Sequence, residues 1–389
     1  MGVQQDDKNR LHGVCMSAWS GKYVIGLTGN IATGKSVVRK MLEHLGAFGI
    51  DADALAHRTI ASGAPGFQPV LEAFGERILD SSGEIERSKL AQVVFHDKEA
   101  LAQLELIIHP LVREAIDALI NRSEHKVVVL EAIKLIESGL AKKCDCLWVS
   151  TAPQKLQLAR LIKNRGLSEM NATQRIESQP PQSDKIAAAD IVIYNDDSLE
   201  NTWSQVRKAW LGLFEKPRKK KPSPEVYQMG NIKVVRYLPA QCAEISGLIS
   251  QLSDGEVNPT PQDIMAAFSE KTFLVMKFGD NPAGVAGWND NNFVAISDEV
   301  QLGVGFPIPN SLYEFVRAID SISERHQCEI SLLYLTDKLA HHFAGLTPLG
   351  YKVQNPEDLE IQAWREIAIS FQSAETVMFS KQLRQTSAG

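Results

Sequence analysis

Short, almost uninterrupted apolar runs recur along the first half of the chain, and stretches with helical periodicity separate them. Such runs are typical of strands that are covered on both faces, as in a parallel sheet. The strand-like runs are 23–28, 126–131, 146–151 and 191–194, and the helical stretches include 36–45, 98–120, 153–163 and 168–179. Regular alternation of strands and helices predicts an α/β fold built on a parallel sheet.

The second half has a different pattern, in which several strand-like runs follow one another with short turns between them. Asp-Asn and Asn-Asp turns join the middle three runs, as expected for a meander. We predict strands at 232–238, 272–279, 282–289, 293–302, 329–336 and 376–383, with helices at 239–252, 311–325 and 337–345. This half is therefore predicted to be an α+β domain on a mainly antiparallel sheet.

A basic, proline-rich stretch separates the two patterns. Residues 215–224 hold three prolines and five cationic residues, a composition typical of a solvated linker rather than of a core. A chain of 389 residues is also longer than one compact core usually is. We predict a disordered extension at 1–21, a first domain at 22–214, a linker at 215–225 and a second domain at 226–389.

Composition and charge exclude several classes of partner. The net charge of −6 argues against a nucleic-acid binder, and no apolar run approaches the length of a membrane span. Five scattered cysteines favour reduced thiols over a disulfide framework. These features predict a cytoplasmic protein without nucleic-acid or membrane partners.

The loop after the first strand carries the chemistry of a phosphate site. Residues 29–36 fit the pattern G-x-x-x-x-G-K-[ST], between a strand and a helix. Consecutive backbone N–H groups at a helix N-terminus form a concave anion site. In this arrangement Lys35 reaches the β and γ oxygens, and the Ser36 hydroxyl coordinates Mg²⁺. The alternative is a chance glycine-rich turn. We predict binding of ATP and Mg²⁺ at Gly29, Asn30, Ile31, Ala32, Thr33, Gly34, Lys35, Ser36 and Val37.

Two carboxylates follow the next predicted strand, which ends near residue 50. A carboxylate at the end of a strand faces the phosphate loop across the cleft in a doubly wound sheet. There, Asp51 or Asp53 could orient and deprotonate an acceptor hydroxyl. Either residue could equally serve as the N-cap of the following helix, and the residues alone leave the choice open.

These segments, GLTGNIATGKS and IDADALAHRTI, strongly resemble the dephospho-CoA kinases, and further matches follow in order to residue 212. They include Phe74-Gly75, Gly83-Glu84-Ile85, Ile108-His109-Pro110, Gly166-Leu167-Ser168 and Ala189-Asp190. The resemblance implies a P-loop nucleotide-kinase fold with a helical lid. It also implies transfer of the ATP γ-phosphoryl group to the 3′-hydroxyl of dephospho-CoA, the last step of coenzyme A biosynthesis.

The resemblance also implies roles for particular residues. It places Asp53 at the catalytic carboxylate near the 3′-hydroxyl and leaves Asp51 as its neighbour or as a group on the metal side. For His109 it implies a contact with the substrate; the alternative is that this residue only shapes its helix. Lid arginines would neutralise charge on the transferring phosphoryl, although each could lie on a solvated helix face. Arg160, Arg165 and Arg175 are the candidates, and we assign Arg160 and Arg175.

Two features depart from the familiar patterns. Lys134 stands where the family commonly has a Pro-Leu-Leu stretch, so it either adds a substrate-binding ligand or points outwards.

The second domain resembles GNAT-type acetyltransferases in element order. Its nearest match to their pyrophosphate loop, residues 301–305, is one residue short and is followed by two prolines. A degenerate acetyltransferase-like domain that binds CoA or acyl-CoA is therefore expected.

Two other functions remain open at this point. The first is a P-loop kinase for another small molecule, such as a nucleoside, because only the acceptor pocket would differ. The second is a CoA-binding regulatory protein that has lost turnover.

Overall fold

The computed structural model describes residues 18–95, 97–214, 226–229, 232–303, 308–342 and 345–384. The described part of residues 18–214 forms a five-stranded sheet in the order β2-β3-β1-β4-β5, and all neighbouring strands are parallel. Its elements are β1 Tyr23–Thr28, α1 Lys35–His44, β2 Phe48–Asp51, α2 Ala52–Arg58, α3 Phe67–Phe74, α4 Arg87–Phe95, α5 Lys98–Arg122, β3 Val127–Glu131, β4 Cys146–Thr151, α6 Gln154–Arg165, α7 Glu169–Glu177, α8 Gln182–Ala188, β5 Ile191–Tyr194 and α9 Leu199–Phe214. The predicted parallel α/β fold is confirmed.

The three central strands are buried on both faces, which explains their near-continuous apolar sequences. Helices α1 and α9 cover one face, and α2 and the carboxyl half of α5 cover the other. Because all the strands are parallel, their carboxyl ends meet at one edge of the sheet. The loops after β1, β2 and β3 therefore converge there, as in other open α/β sheets with a ligand at this edge.

The predicted disordered extension ends earlier than residue 21. Residues 1–17 lie outside the described part of the chain, but Trp19 is buried in the core beneath the sheet. Its indole Nε1 donates a hydrogen bond to Asp117 at 2.9 Å. Burial of a large aromatic ring is favourable, and Trp19 therefore packs with the core of the first half although it falls within the predicted extension.

The second half forms an eight-stranded sheet within its described residues, in the order β12-β13-β11-β10-β9-β8-β7-β6. Every neighbouring pair is antiparallel except β10 and β11, which are parallel and are connected through α12. Its elements are β6 Val226–Met229, β7 Ile232–Arg236, α10 Cys242–Leu252, α11 Pro261–Ala267, β8 Thr272–Phe278, β9 Asn281–Asn291, β10 Val294–Leu302, α12 Ile308–Arg325, β11 Ile330–Thr336, α13 Asp337–Ala340, β12 Lys352–Val353, α14 Gln362–Phe371 and β13 Thr376–Gln382. The predicted α+β domain is confirmed, although the helix expected at 337–345 ends at residue 340.

The two halves contact each other through α1, α2 and α5. The His44 ring nitrogen Nε2 lies 2.8 Å from the carbonyl oxygen of Phe268, and Arg58 forms an ion pair with Glu329 at 2.5 Å. Phe293 packs against the apolar cluster of the first half. The elements that carry the predicted active site are therefore also in contact with the second half. The predicted linker at 215–225 lies outside the described residues.

Within the described ranges, every helix is too short or too polar to cross a lipid bilayer.

Candidate active site

The loop of residues 29–36 joins β1 to α1 in a conformation that depends on two glycines. Gly29 and Gly34 have φ angles of 151° and 90°, which favour glycine over other residues. A Cβ atom at Gly34 would lie 1.9 Å from Nδ2 of Asn195, so a side chain there would displace the amide. Ser150 and Asn195 hold the loop from the sheet side, because both donate hydrogen bonds to the carbonyl oxygen of Thr33. The turn thus delivers the free N–H groups of the α1 N-terminus to the cleft.

Two glutamines hold the outer arm of this loop, and the family resemblance assigned a role to neither of them. Oε1 of Gln179 accepts a hydrogen bond from the Ile31 N–H at 2.7 Å, and Oε1 of Gln182 accepts one from the Asn30 N–H at 3.1 Å. Both lie between α7 and the start of α8. The loop is therefore clamped from both sides. Val37, the last predicted loop residue, packs against the core instead.

The side chain of Lys35 is buried within the loop that it is predicted to serve. Its Nζ donates a hydrogen bond to the carbonyl oxygen of Asn30 at 3.2 Å. Burial lowers the pKa of Lys35 from its ordinary value, although the negative charges of Glu131 and Asp53 partly oppose this. A desolvated ammonium group flanked by carboxylates is well suited to receive phosphate oxygens.

The structure separates the roles of the two aspartates after β2. Oδ1 of Asp51 accepts a hydrogen bond from the Ala54 N–H at 2.9 Å, so Asp51 is the N-cap of α2. Asp53 lies in the first turn of α2, and its Oδ2 accepts a hydrogen bond from the Ile133 N–H at 3.1 Å. The alternative that both aspartates are merely capping residues does not hold for Asp53, whose carboxylate faces the loop after β3.

The environment of Asp53 favours its protonated form more than water does. Desolvation by the surrounding protein is the largest cause and raises its pKa, and the charge of Asp51 adds to this. The Ile133 N–H and the Lys35 charge act in the opposite direction but do not cancel it. A carboxylate with a raised pKa is a better proton acceptor than an ordinary aspartate.

Glu131 is a site residue that the sequence interpretation missed. It ends β3, and its Oε1 accepts a hydrogen bond from the Ser36 hydroxyl at 3.0 Å. Its Oε2 accepts one from Nε of Arg39 at 2.7 Å. Burial raises its pKa, while Arg39 acts against that shift. An acidic residue that ends a buried strand beside the P-loop strand is the signal that could have identified it.

Lys185 was also missed as a site residue. It is only 3% exposed on α8, and its Nζ donates a hydrogen bond to the carbonyl oxygen of Ile133 at 2.5 Å. The Thr28 hydroxyl donates to the same oxygen at 3.0 Å. The loop after β3 is therefore fixed next to Asp53 from two directions. The family resemblance covers this segment but assigned Lys185 no role, so only the fold identifies this contact.

Lys134 points away from the phosphate loop. Its Nζ pairs with Glu105 of α5 at 2.9 Å, and its side chain is 61% exposed. Of the two alternatives for this residue, the structure favours the outward one. Exposed ion pairs of this kind contribute little to stability.

His109 lies half-buried on α5, which continues as a helix through Pro110. Its contact with a substrate stays a prediction.

The three candidate lid arginines differ in position. Arg160 donates hydrogen bonds to the carbonyl oxygens of Ala32 and Asn195 at 3.2 and 2.9 Å. Arg165 and Arg175 are exposed, at the end of α6 and in the last turn of α7. The described structure therefore brings Arg160 to the phosphate loop and does not bring Arg175 there.

We expect Arg160→Ala to lower kcat/KM for ATP by about tenfold, because it removes two charge-assisted bonds that hold the loop. Arg175→Ala is the matched variant and is expected to have a smaller effect. Steady-state kinetics with varied ATP would measure both. A larger loss in Arg175→Ala would show instead that Arg175 reaches the phosphoryl group during turnover.

Comparisons with known proteins show what this chain is similar to. The family model for dephospho-CoA kinase matches residues 23–201. The dephospho-CoA kinase of Aquifex aeolicus is 43% identical over 194 residues, which are 50% of this chain and 98% of that protein. A solved structure from Thermus thermophilus matches with a TM-score of 0.46 and 32% identity, covering 50% of this chain and 98% of that one. A GNAT-family acetyltransferase from Staphylococcus aureus matches with a TM-score of 0.31 and 12% identity, covering 39% of this chain and 99% of that one.

Proposed function

Because this chain belongs to the dephospho-CoA kinase family, we propose that its first domain transfers the γ-phosphoryl group of ATP to the 3′-hydroxyl of dephospho-CoA. One observation carries most of the weight: Lys35 on the phosphate loop after β1 and Asp53 on α2 after β2 lie at the same edge of the sheet, and the Asp53 carboxylate accepts a hydrogen bond from the loop after β3 there. A cation for the donor phosphates and a proton acceptor for the hydroxyl thus stand at one cleft. Phosphoryl transfer requires this pairing.

The nucleoside part of ATP has a suitable cavity beside the loop. A cavity of about 600 Å³ is lined by Asn30, Gln157, Gln179 and Tyr194, among other residues. Several of the lining side chains are polar, and such a cavity next to a phosphate loop suits the adenosine part of ATP.

In the proposed reaction the 3′-oxygen of the acceptor forms a bond to the γ-phosphorus while the bond to the β–γ bridging oxygen breaks. Asp53 orients the hydroxyl and accepts its proton. Lys35 and the N–H groups of the loop stabilise charge on the phosphoryl oxygens, and this preorganisation supplies most of the catalysis. ADP leaves with the bridging oxygen.

Mg²⁺ fits the same edge of the sheet. The Ser36 hydroxyl and the Glu131 carboxylate are hard oxygen donors, and they lie 3.0 Å apart. We propose that these two residues hold the ion, Ser36 directly and Glu131 directly or through water. When bound, Mg²⁺ neutralises charge on the phosphate oxygens.

A coupled assay of ADP release with Mg-ATP tests the acceptor. We expect saturable turnover with dephospho-CoA and not with adenosine, a nucleoside monophosphate or shikimate. Turnover with adenosine alone would support the other small-molecule kinase. ATP binding without turnover on any acceptor would support the regulatory protein that has lost activity.

CoA or acyl-CoA binding by the second domain stays a prediction. Residues 304–307, which include the end of the expected pyrophosphate loop, lie outside the described residues. The division into domains at 22–214 and 226–389 is likewise our proposal.

A further inference from the structure

A row of alternating charges connects the phosphate loop to the second domain. The row begins at Ser36, which donates to Glu131, and Glu131 accepts from Arg39 at 2.7 Å. Arg39 Nη1 pairs with Glu43 Oε1 at 2.7 Å, and Lys40 Nζ pairs with Glu43 Oε2 at 2.8 Å. All the basic members and Glu43 belong to α1, the helix that begins at the end of the phosphate loop.

The row continues into the second domain at Asp290 of β9. Lys40 Nζ lies 2.7 Å from Oδ1 of Asp290, whose Oδ2 lies 2.8 Å from Nδ1 of His326. Lys40 therefore pairs with both Glu43 and Asp290. The second domain supplies the last carboxylate of a network whose first member is the hydroxyl of the phosphate loop.

The middle of the network is buried, whereas Arg39 and Asp290 are half-buried and Ser36 is exposed. Lys40, Glu43, Glu131 and His326 are each at most 4% exposed. Gly49 of β2 makes room for it, because a Cβ atom there would lie 1.9 Å from Oε1 of Glu43. Buried ionic groups must be closely paired, because an unpaired charge destabilises the folded state far more when it is buried than when it lies on the surface. Each member of this row therefore constrains its neighbour.

The electrostatics agree with close coupling across the interface. Burial opposes the charged form of Lys40, but the negative charges of Asp290 and Glu43 outweigh it and raise its pKa. Burial likewise opposes ionisation of Asp290, yet Lys40 and His326 keep its pKa well below the ordinary value. Both groups are ionised because they face each other.

We propose that Asp290 is a positioning residue for the phosphate loop and acts through Lys40, Glu43, Arg39 and Glu131 on Ser36. Asp290 keeps Lys40 on Oε2 of Glu43, so that Oε1 stays available to Arg39. Arg39 in turn holds Oε2 of Glu131 and leaves Oε1 for the Ser36 hydroxyl. The second domain thus has a role in nucleotide binding, whether or not it binds a ligand of its own. This inference rests on the proposed phosphate-binding function of residues 29–36.

The experiment measures the affinity of the full chain for Mg-ADP by calorimetry, together with kcat and KM. We expect Asp290→Asn to raise the dissociation constant of Mg-ADP on the order of fivefold and to raise KM for Mg-ATP, while KM for the acceptor stays unchanged. Glu329→Gln is the matched control, because it removes a carboxylate at the same interface that pairs with α2 instead of α1. It is expected to leave Mg-ADP affinity as in the unmodified chain.

A double-mutant cycle separates positioning from general destabilisation. Glu131→Gln removes the carboxylate that links Arg39 to Ser36. In that background, adding Asp290→Asn should weaken Mg-ADP binding no further. Additive effects, or unchanged affinity in Asp290→Asn, would overturn the proposal. Absence of Mg-ADP binding by the unmodified chain would instead refute the proposed function itself.

Asp290→Asn removes one charged partner of Lys40, so thermal unfolding of the variant is measured alongside to check that the chain is folded. The double variant K40M/D290L removes one charge of each sign and replaces the pair by apolar groups, which buried sites often tolerate. It is expected to lose Mg-ADP affinity as Asp290→Asn does. Native affinity in this variant would also overturn the proposal.

Discussion

Replacing Lys35 with alanine is expected to lower kcat by at least about a hundredfold. The ammonium group is the one side-chain cation that the loop itself presents to the donor phosphates, and it is already desolvated at 8% exposure. A charge held in such a site interacts with a phosphoryl group far more strongly than a solvated one does. The loss should appear in kcat as well as in ATP binding, because charge on the γ-phosphoryl oxygens changes during transfer.

The measurement is steady-state ADP release with dephospho-CoA, alongside calorimetric binding of Mg-ADP. Lys134→Ala is the matched control. Lys134 is a lysine at the same edge of the sheet, but it forms an exposed ion pair with Glu105. It is expected to change kcat by less than about threefold. Equal losses in the two variants would contradict the special role of Lys35.

Asp53→Asn is expected to lower kcat by about a hundredfold or more, while the affinity for Mg-ADP stays close to that of the unmodified chain. The amide keeps the size of the side chain but cannot accept the proton of the acceptor hydroxyl. Asp51→Asn is the control: asparagine is as good an N-cap as aspartate, so α2 keeps its start. That variant is expected to lose less than about tenfold.

The pH profile gives a second signature of Asp53. Desolvation raises its pKa above the ordinary value, so the protonated, inactive form persists to higher pH than for a solvated aspartate. The kcat of the unmodified chain should therefore fall as the pH is lowered through a pKa above about 3.9. Asp53→Asn should lack this acidic limb. A limb that survives in Asp53→Asn would assign the proton acceptor to another group.

Most of the secondary structure was predictable because local patterns agree with the final packing. The apolar runs at β1, β4 and β5 have the bounds that the structure gives them, and the P-loop lies in its expected strand–helix context. The exception in burial is β5. β5 lies at the edge of the sheet, and Tyr194 is 51% exposed. The apolar sequence of this strand therefore did not predict its burial correctly.

The candidate site was predictable only where a residue belongs to a continuous motif. Lys35, Ser36 and Asp53 follow from local segments of the chain. Glu131 and Lys185 come from separate segments whose local sequences carry no such pattern, and they reach the site through the parallel arrangement of β3 and the packing of α8. In the structure, two hydrogen bonds distinguish Asp51 from Asp53: the Ala54 N–H donates to Asp51, and the Ile133 N–H donates to Asp53.

The sequence by itself determined the fold class of both halves and the phosphate loop, and its resemblance to the dephospho-CoA kinases indicated the reaction. The fold class and the loop depend on apolar periodicity and on short-range backbone chemistry, which residues close in sequence specify. Only the tertiary structure decided that Arg160 supports the loop, that Lys134 points outwards and that Asp290 reaches Lys40 across 250 positions. Buried ion pairs between distant segments depend on how helices and strands pack against each other. The sequence around either partner does not specify that packing.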